Sequence, residues 1–509
     1  MKYSLEKNNS MKLLDLLQDI EVVRIIGNAN TEVTGIQSDS RRIEPGNIFV
    51  AQKGTTVDGH MFIAPCIAQG AGVVVMDDAT HMPTSDTEGV CYVLVKNSDE
   101  ALGKMAHTWY GKPSQQLKLI GVTGTNGKTT TATLLYRLFK ALGHKVGLLS
   151  TVVNYVNDES IPATHTTPDA LSLNALLAQM VSAGCTYAFM EVSSHAIAQE
   201  RIAGLEFAGA LFTNLTRDHL DYHKTFDHYR DTKKQLFDRL SKSAFAVTNY
   251  DDKNGLVMTQ NTQAKVYTYS TRSMADFRGK ILEEGFDGML LRMQSTLGAV
   301  NTEVFVPLVG RFNVSNLLLI YGCGVALGRE PMEVLRILSG LQPVNGRFET
   351  IHSAKGWTAV IDYAHTPDAV ENVLNTINEI VETNARKRTS PAQVITVVGC
   401  GGNRDKGKRP IMAKIAYEHS TQLILTSDNP RDEEPQDILQ DMTAGLTAEQ
   451  MQRVLLIEDR ASAIKTACTL AREGDVILVA GKGHEDYQII KGVKHHFDDH
   501  EVVRACALI

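Results

Sequence analysis

The segment Gly121–Thr131, GVTGTNGKTTT, holds residue types that suit phosphate chemistry. Glycines let backbone N–H groups turn inward around phosphate oxygens. Lys128, beside the last glycine, reaches outer phosphates, and the Thr129 hydroxyl is a hard oxygen suited to Mg²⁺. Gly124, Thr125, Asn126, Gly127, Lys128, Thr129 and Thr130 are therefore read as an ATP loop. Counting back from Gly127, Val122 stands where the usual G-x-x-x-x-G-K-[ST] spacing has glycine, so the loop is a shortened variant. Glu191 sits near the end of the apolar run Tyr187–Val192 and offers a carboxylate to a divalent cation. Arg431, which closes Asp428–Arg431 (DNPR), offers a planar fork to a carboxylate.

Such residues need elements to hold them. Leu117–Val122 reads as a buried strand ahead of the loop, and Leu134, Leu135, Leu138, Phe139 and Leu142 mark one face of a helix behind it. The same theme recurs. Gly209–Phe212 leads into TNLTRDHLDYH, Thr358–Ile361 into DYAHTPD, and Val394–Val398 into GCGGNRDKGKRP. Gln422–Thr426 leads into SDNPRDEEP, and Asp475–Ala480 into GKGHEDYQ. Short apolar runs alternating with helical patterns predict parallel sheets, which bind ligands beyond the carboxyl ends of their strands. The polar segments lie at those ends. The fold class is α/β in three domains. A small α/β N-domain spans residues 1–114. A central P-loop-type ATPase domain with a mostly parallel sheet spans 115–344. A Rossmann-like C-domain spans 345–509.

The 509 residues are enough for about three domains. The net charge of -7 argues against a nucleic-acid partner, and no stretch is apolar enough to span a membrane. The seven cysteines are too scattered for a CxxC pair, so reduced thiols are expected. Without a continuous apolar signal core at the start, the chain is expected to be cytoplasmic, as a monomer.

TGTNGKTT, with its shortened spacing, resembles the ATP loop of the Mur ligase family. EVSSH (Glu191–His195), NLTRDHLDYH (Asn214–His223), GRFNVSN (Gly310–Asn316), NGRFE (Asn345–Glu349) and DYAHTPD (Asp362–Asp368) follow in family order. GGNRDKGKRP, DNPR and GKGHEDYQ complete the set, and the resemblance spans nearly the whole chain. It implies an ATP-dependent amide-bond-forming ligase working through an acyl phosphate. It also implies Mg²⁺ held by Thr129, Glu191 and His219. A carbamate formed from a lysine and CO₂ would bind a second Mg²⁺. Two lysines adjoin in TKKQLF, and either would serve by its bare sequence; the family pattern, with phenylalanine four residues on, selects Lys233. Lys128, Glu191, His219 and Lys233 form the implied catalytic set. Asn316, Arg347 and Asp362 match the family's remaining ATP contacts.

Within the family the motifs are most similar to members that extend UDP-N-acetylmuramoyl-L-alanyl-D-glutamate. Ser38 and Ser40 lie where the family holds the uridine end, and Thr166, Thr167, Ser193, Gln199 and Arg201 match its contacts to the acceptor peptide. The added amino acid is expected to be meso-diaminopimelate, whose far end carries a carboxylate that lysine lacks. Arg404 and Arg431 suit that carboxylate. Asp428, Asn429 and Glu485 suit the ammonium groups, and Pro430 and Gly481 shape the same pocket. A surface pairing of Arg431 with Asp432 or Glu433 is the plain alternative. Three other functions compete: addition of lysine, a folate-type glutamate ligase, and a P-loop ATPase switch. DNPR opposes the first, the N-terminal SDSRR and DGH segments oppose the second, and the remaining motifs oppose the third.

Overall fold

The computed structural model describes residues 10–54, 57–85, 89–163, 165–385 and 391–508. Residues 1–9, part of the stretch read as lacking a signal core, lie outside these. Among the described residues no helix is long and apolar enough to cross a membrane. The seven cysteines, all described, form no disulfide.

Three large sheets follow one another along the chain. The first has five strands, in the order Val22–Ile26, Cys91–Val95, Val73–Met76, Asn47–Val50 and Gly35–Gln37. Its three inner strands are buried at every position, as unbroken apolar runs require when both faces are covered.

The second sheet has eleven strands. At its centre lie β1 (Lys118–Thr123), β2 (Tyr187–Glu191) and β3 (Gly209–Phe212), with β1 between the other two and parallel to both. Helix α1 (Lys128–Ala141) follows β1 and buries Leu134, Leu135, Leu138 and Phe139 completely. Each of these side chains contributes roughly 1.5–3 kcal/mol by leaving water. Helix α2 (Phe226–Asp238) starts at Thr225, whose hydroxyl accepts from the His228 N–H at 3.1 Å. It turns Tyr229, Lys233 and Phe237 onto one buried face, at the four-residue spacing that aligns side chains on a helix. Helix α3 (Arg311–Ala326) packs against α1 and the sheet.

The sequence reading anticipated a mostly parallel sheet, and seven adjacent strands are parallel. Both ends carry antiparallel additions that it missed. Val153–Val156 and Glu159–Pro162 extend one edge, and at the other Gly288–Ser295 and Val300–Val306 run on as an antiparallel meander from Phe277–Gly285, the last of the seven parallel strands. The signal for the meander is Asp287-Gly288, a hairpin dipeptide, followed by alternating burial in Val300–Val306.

The third sheet runs Glu349–His352, β4 (Thr358–Asp362), β7 (Val476–Ala480), β5 (Val394–Cys400), β6 (Gln422–Ser427) and Val454–Leu456. Only Glu349–His352 is antiparallel to its neighbour. The carboxyl ends of β4 to β7 thus lie along one edge. DYAHTPD, GGNRDKGKRP, DNPR and GKGHEDYQ all leave from it, and α4 (Pro367–Ala385) follows the first.

Candidate active site

β1 delivers its loop to the carboxyl edge of the central sheet. Gly127 has φ +86°, and a Cβ there would collide with the Asn316 side chain, so only glycine starts α1 this way. Asn214, which the sequence reading did not single out, accepts from Asn126 N through Oδ1 at 3.0 Å and from Thr125 N through its carbonyl at 2.8 Å. A cleft of about 960 Å³ opens over this loop. Its walls bring together Asn126, Gly127 and Thr130 from the loop, Asn316 from α3, and Arg347 and Asp362 from the third sheet.

The second and third sheets meet across the cleft. Arg347 Nη2 donates to Thr129 Oγ1 at 3.3 Å, and Asn126 Nδ2 donates to Asp368 in the first turn of α4 at 2.9 Å. The Arg347 guanidinium lies 4.5 Å from the centre of the Tyr363 ring, and its Nε is buried without a partner. Asp362 is buried and accepts from the Phe348 and Ala364 N–H groups, each at 2.7 Å. Burial raises its pKa, against the pull of Arg347 and these two bonds.

Below the cleft lie two lysines facing the same loop. Lys128 Nζ donates to the carbonyls of Gly124 and Thr125 at 3.0 and 2.8 Å. Lys233 Nζ, buried, donates to Gly124 O at 2.9 Å and lies 4.8 Å from the centre of the Tyr229 ring. Desolvation lowers the pKa of both; Lys128 further depresses Lys233, and only Asp218 pulls the other way on it. Lys234 is different: it is committed to Asp238, one turn along α2, at 2.6 Å.

Glu191 accepts from Thr151 N at 2.8 Å and from Thr151 Oγ1 at 3.2 Å. His219 adopts a left-handed backbone (φ +54°), with Nε2 3.4 Å from Asp218 Oδ2. Desolvation, then His195, Lys128 and Lys233, brings its pKa down to about 4 despite Asp218, so the imidazole is neutral and free to donate a lone pair. Among the described residues no three His, Cys, Asp or Glu side chains form a closed metal cage. The Thr129 hydroxyl and the Glu191 carboxylate carry the hard oxygens that Mg²⁺ takes, and His219 carries a neutral nitrogen.

The acceptor candidates separate into two groups. Thr166, Thr167, Ser193, Gln199 and Arg201 form one hydrogen-bonded cluster. Thr166 Oγ1 accepts from Thr151 Oγ1 at 3.1 Å, and Ser193 N donates to Thr167 Oγ1 at 3.1 Å. Arg201 donates to Thr167 O at 2.8 Å and to Gln199 Oε1 at 3.0 and 2.6 Å. Ser38 and Ser40 stand apart on the first sheet's flank, and no bond between described residues ties them to this cluster. Arg41 beside them is held by Asp39 at 2.8 Å.

At the edge of the third sheet, Arg431 is not paired with Asp432 or Glu433. Its backbone is left-handed (φ +53°), and Nη1 donates to Gly402 O at 2.8 Å. Glu433 instead takes the buried Arg409, at 2.9 Å. Arg404 and Arg431 both approach Gly401, and among the described residues no carboxylate is within ion-pair distance of either. Pro430 is buried behind them. Gly481 (φ +117°) passes so close to Asp428 that a Cβ would lie 2.7 Å from its Oδ2. Asp428, Asn429 and Glu485 come together here as the sequence grouped them, and they share a cation of the chain's own. Lys482, which the sequence reading passed over, lies between them, 3.1 Å from Glu485 and 3.3 Å from Asn429. It was hidden because GKGHEDYQ gives no sign that its lysine turns inward.

Three family models match in chain order. They are the Mur ligase family catalytic domain over residues 32–110, the Mur ligase middle domain over 122–324, and the Mur ligase glutamate ligase domain over 346–483. A UDP-N-acetylmuramoyl-L-alanyl-D-glutamate--2,6-diaminopimelate ligase from Phocaeicola vulgatus is 58% identical, covering 97% of this chain and 99% of its own. The chain belongs to the Mur ligase family. A ligase of the same name from Bacteroides fragilis is 56% identical to this Mur ligase over 97% of it and 99% of the relative. A solved structure of a like-named ligase superposes with a TM-score of 0.68 at 32% identity, covering 98% of this Mur ligase and 99% of that chain.

Proposed function

We propose that this Mur ligase uses ATP to join meso-2,6-diaminopimelate to UDP-N-acetylmuramoyl-L-alanyl-D-glutamate in peptidoglycan precursor synthesis. The observation that carries the amino-acid assignment is the pair Arg404 and Arg431, which meet beside Gly401 at the edge of the third sheet and have no carboxylate within ion-pair distance among the described residues. A bidentate fork of this kind suits the far-end carboxylate of diaminopimelate, and lysine offers nothing to it. On this reading residues 1–114 hold the uridine end through Ser38 and Ser40, residues 115–344 hold ATP, and residues 345–509 hold the amino acid.

A carboxylate is a poor acyl donor because its leaving group is poor. The γ-phosphoryl therefore passes from ATP to the acceptor carboxylate: the bond to ADP breaks and an acyl phosphate forms. The diaminopimelate amine attacks the acyl carbon, the tetrahedral intermediate collapses, phosphate leaves and the amine's proton passes to solvent. Lys128 and Arg347 bring positive charge to the phosphates, which is what a phosphoryl transfer between anions requires. Thr166, Thr167, Ser193, Gln199 and Arg201 orient the acceptor peptide, and Asn316 and Asp362 hold the nucleoside. Thr129, Glu191 and His219 would hold Mg²⁺, which would supply charge neutralisation at the phosphates. Lys233 is the lysine suited to carbamate formation. Its pKa is depressed, and CO₂ adds only to a neutral amine; an N–C bond forms, a proton leaves the nitrogen to solvent, and the carbamate oxygens would hold a second Mg²⁺.

The test is incubation with ATP, Mg²⁺ and UDP-N-acetylmuramoyl-L-alanyl-D-glutamate, with diaminopimelate or lysine in parallel, reading product mass and ADP together. Tripeptide product with diaminopimelate, formed far faster than with lysine, is the expected result. Preference for lysine overturns the Arg404 and Arg431 assignment. ATP hydrolysis without either product returns the chain to an ATPase switch.

A further inference from the structure

Arg347, which reaches across the cleft to the phosphate loop, is carried between two left-handed residues, Gly346 at φ +66° and Phe348 at φ +49°. A Cβ on Gly346 would collide with the backbone of Gly483 and His484, so glycine is required there. Phe348 has no such freedom, and a side chain in that region persists only where its surroundings over-determine it. Its ring is buried, 6.1 Å from that of Phe312 on α3, and its N–H donates to Asp362 Oδ2 at 2.7 Å. Tyr363 N donates to the Gly346 carbonyl at 2.9 Å. A further brace is Glu349, whose Oε2 accepts from the Gly346 N–H at 3.2 Å. The Glu349 side chain is 25% exposed, so burial alone does not keep it there.

Helix α5 (Asp499–Ala507) supplies what does. Asp499 is fully buried and takes Arg460 at 2.8 and 2.7 Å, and Arg460 donates to the Ala480 carbonyl at the end of β7 at 3.0 Å. From this anchored turn His500 faces two carboxylates. Its Nε2 lies 2.8 Å from Glu349 Oε2, and its Nδ1 lies 3.0 Å from Asp498 Oδ1. A ring with a carboxylate at each nitrogen donates from both, which only the imidazolium does. Desolvation opposes that charge, and Glu349, then Asp498, outweigh it, so the His500 pKa is raised. Arg504, one turn on, is largely exposed and lies 3.5 Å from Glu349 Oε1. His484, on the loop after β7, is neutral, since burial and then its cationic neighbours bring its pKa down to about 3.

We infer that His500 is a positioning residue for the nucleotide: bonded through both ring nitrogens, it holds Glu349 on the Gly346 N–H and so keeps the turn that aims Arg347 at Thr129. The inference rests on the reading of Arg347 as a phosphate contact and goes further, because α5 lines no part of the cleft and acts on it through the turn. When the ring loses its proton, one nitrogen turns a lone pair to a carboxylate, and the brace on Gly346 weakens.

The readout is the Kd of a non-hydrolysable ATP analogue with Mg²⁺, measured by calorimetry on the full chain. His500→Ala is expected to raise that Kd about tenfold below the His500 pKa, where the brace is intact in the unaltered chain. His500→Lys keeps a cation beside Glu349 and is expected to bind within about threefold of the unaltered chain there. As pH climbs through the His500 pKa, the unaltered chain is expected to weaken relative to His500→Lys. Other titrating groups act on both chains alike, so the divergence belongs to His500. If His500→Ala does not fold, this pair carries the test. A Kd unmoved by His500→Ala overturns the proposal, as do parallel pH profiles for His500→Lys and the unaltered chain. On an Arg347→Ala background, His500→Ala is expected to add nothing, and a second loss of the same size there overturns the route through Arg347. If Arg347→Ala alone leaves the Kd unchanged, the reading of Arg347 fails first, and the two failures are distinguishable.

Discussion

Lys233 and Lys482 are buried to the same degree and live in opposite surroundings. Lys482 has two carboxylates and an amide oxygen around its ammonium. Lys233 has one backbone carbonyl, an aromatic face and a second lysine nearby, and among the described residues no carboxylate is within ion-pair distance of it. A cation balanced by its own chain is finished architecture, whereas an unbalanced one marks where charge must arrive from outside. The nucleotide side of the molecule is built around missing negative charge, which polyphosphate and CO₂ can supply. At the edge of the third sheet Lys482 is already partnered by its own chain, and Arg404 and Arg431 are the cations left without a carboxylate.

The sharpest way to break this contrast is to remove a cation from the unbalanced side. Lys128→Met is expected to lower kcat about 10²–10³-fold, because its charge matters most as phosphate charge develops. Steady-state kinetics at saturating ATP reads this directly, and a change confined to KM would move Lys128 out of that role. Lys233→Arg keeps a positive charge but cannot form a carbamate. A loss of about 10²-fold is expected, with no response to added bicarbonate, while the unaltered chain stripped of CO₂ recovers on bicarbonate addition. Equal responses of the two chains would remove the carbamate from the account.

A pH titration probes the same side. His223 is buried beside His195, His228 and Lys233, and burial followed by these neighbours brings its pKa down to about 4. The unfolded imidazole takes up its proton near the ordinary 6.5. Between these values the unfolded chain binds more protons, so stability falls as pH drops from 6.5 toward 4. At pH 5 the His223 contribution amounts to about 2 kcal/mol. Urea unfolding at pH 7 and pH 5 is expected to show that loss, and His223→Gln to reduce the pH dependence. On the balanced side the expected effect is smaller. Arg431→Lys keeps the charge and loses the fork, raising the KM for diaminopimelate about tenfold while leaving the KM for ATP in place. A shift in both would mean that Arg431 holds the loops together instead of the ligand.

Much of the nucleotide site was legible along the chain because its parts are contiguous. A strand, a glycine turn, Lys128 and a helix stand in one run, and backbone geometry fixes how they face a phosphate. The parallel strands were legible for a similar reason, since unbroken apolar runs have no exposed face to interrupt them. The antiparallel meander was missed because half of its side chains face solvent and dilute the apolar signal. Asn214, Asp368 and Tyr363 lie in motifs the sequence marked, but their individual roles were not legible because each acts on a partner distant along the chain. Asn214 matters only because Thr125 and Asn126 fold onto it, and Asp368 only because α4 comes to lie over the loop.

The sequence by itself determined the element types, the phosphate loop, the family motifs and the presence of an arginine fork, since each depends on neighbours along the chain. The family pattern selected Lys233 over Lys234, and the physical reason lies in tertiary structure: α2 turns Lys233 toward Gly124 and leaves Lys234 to Asp238. So does the state of the amino-acid pocket. Whether Arg431 pairs with its own neighbours, and whether Glu485 is free, depends on how the loops after β5, β6 and β7 pack together. Charge acts through space at a few ångströms, and only the folded chain sets those distances.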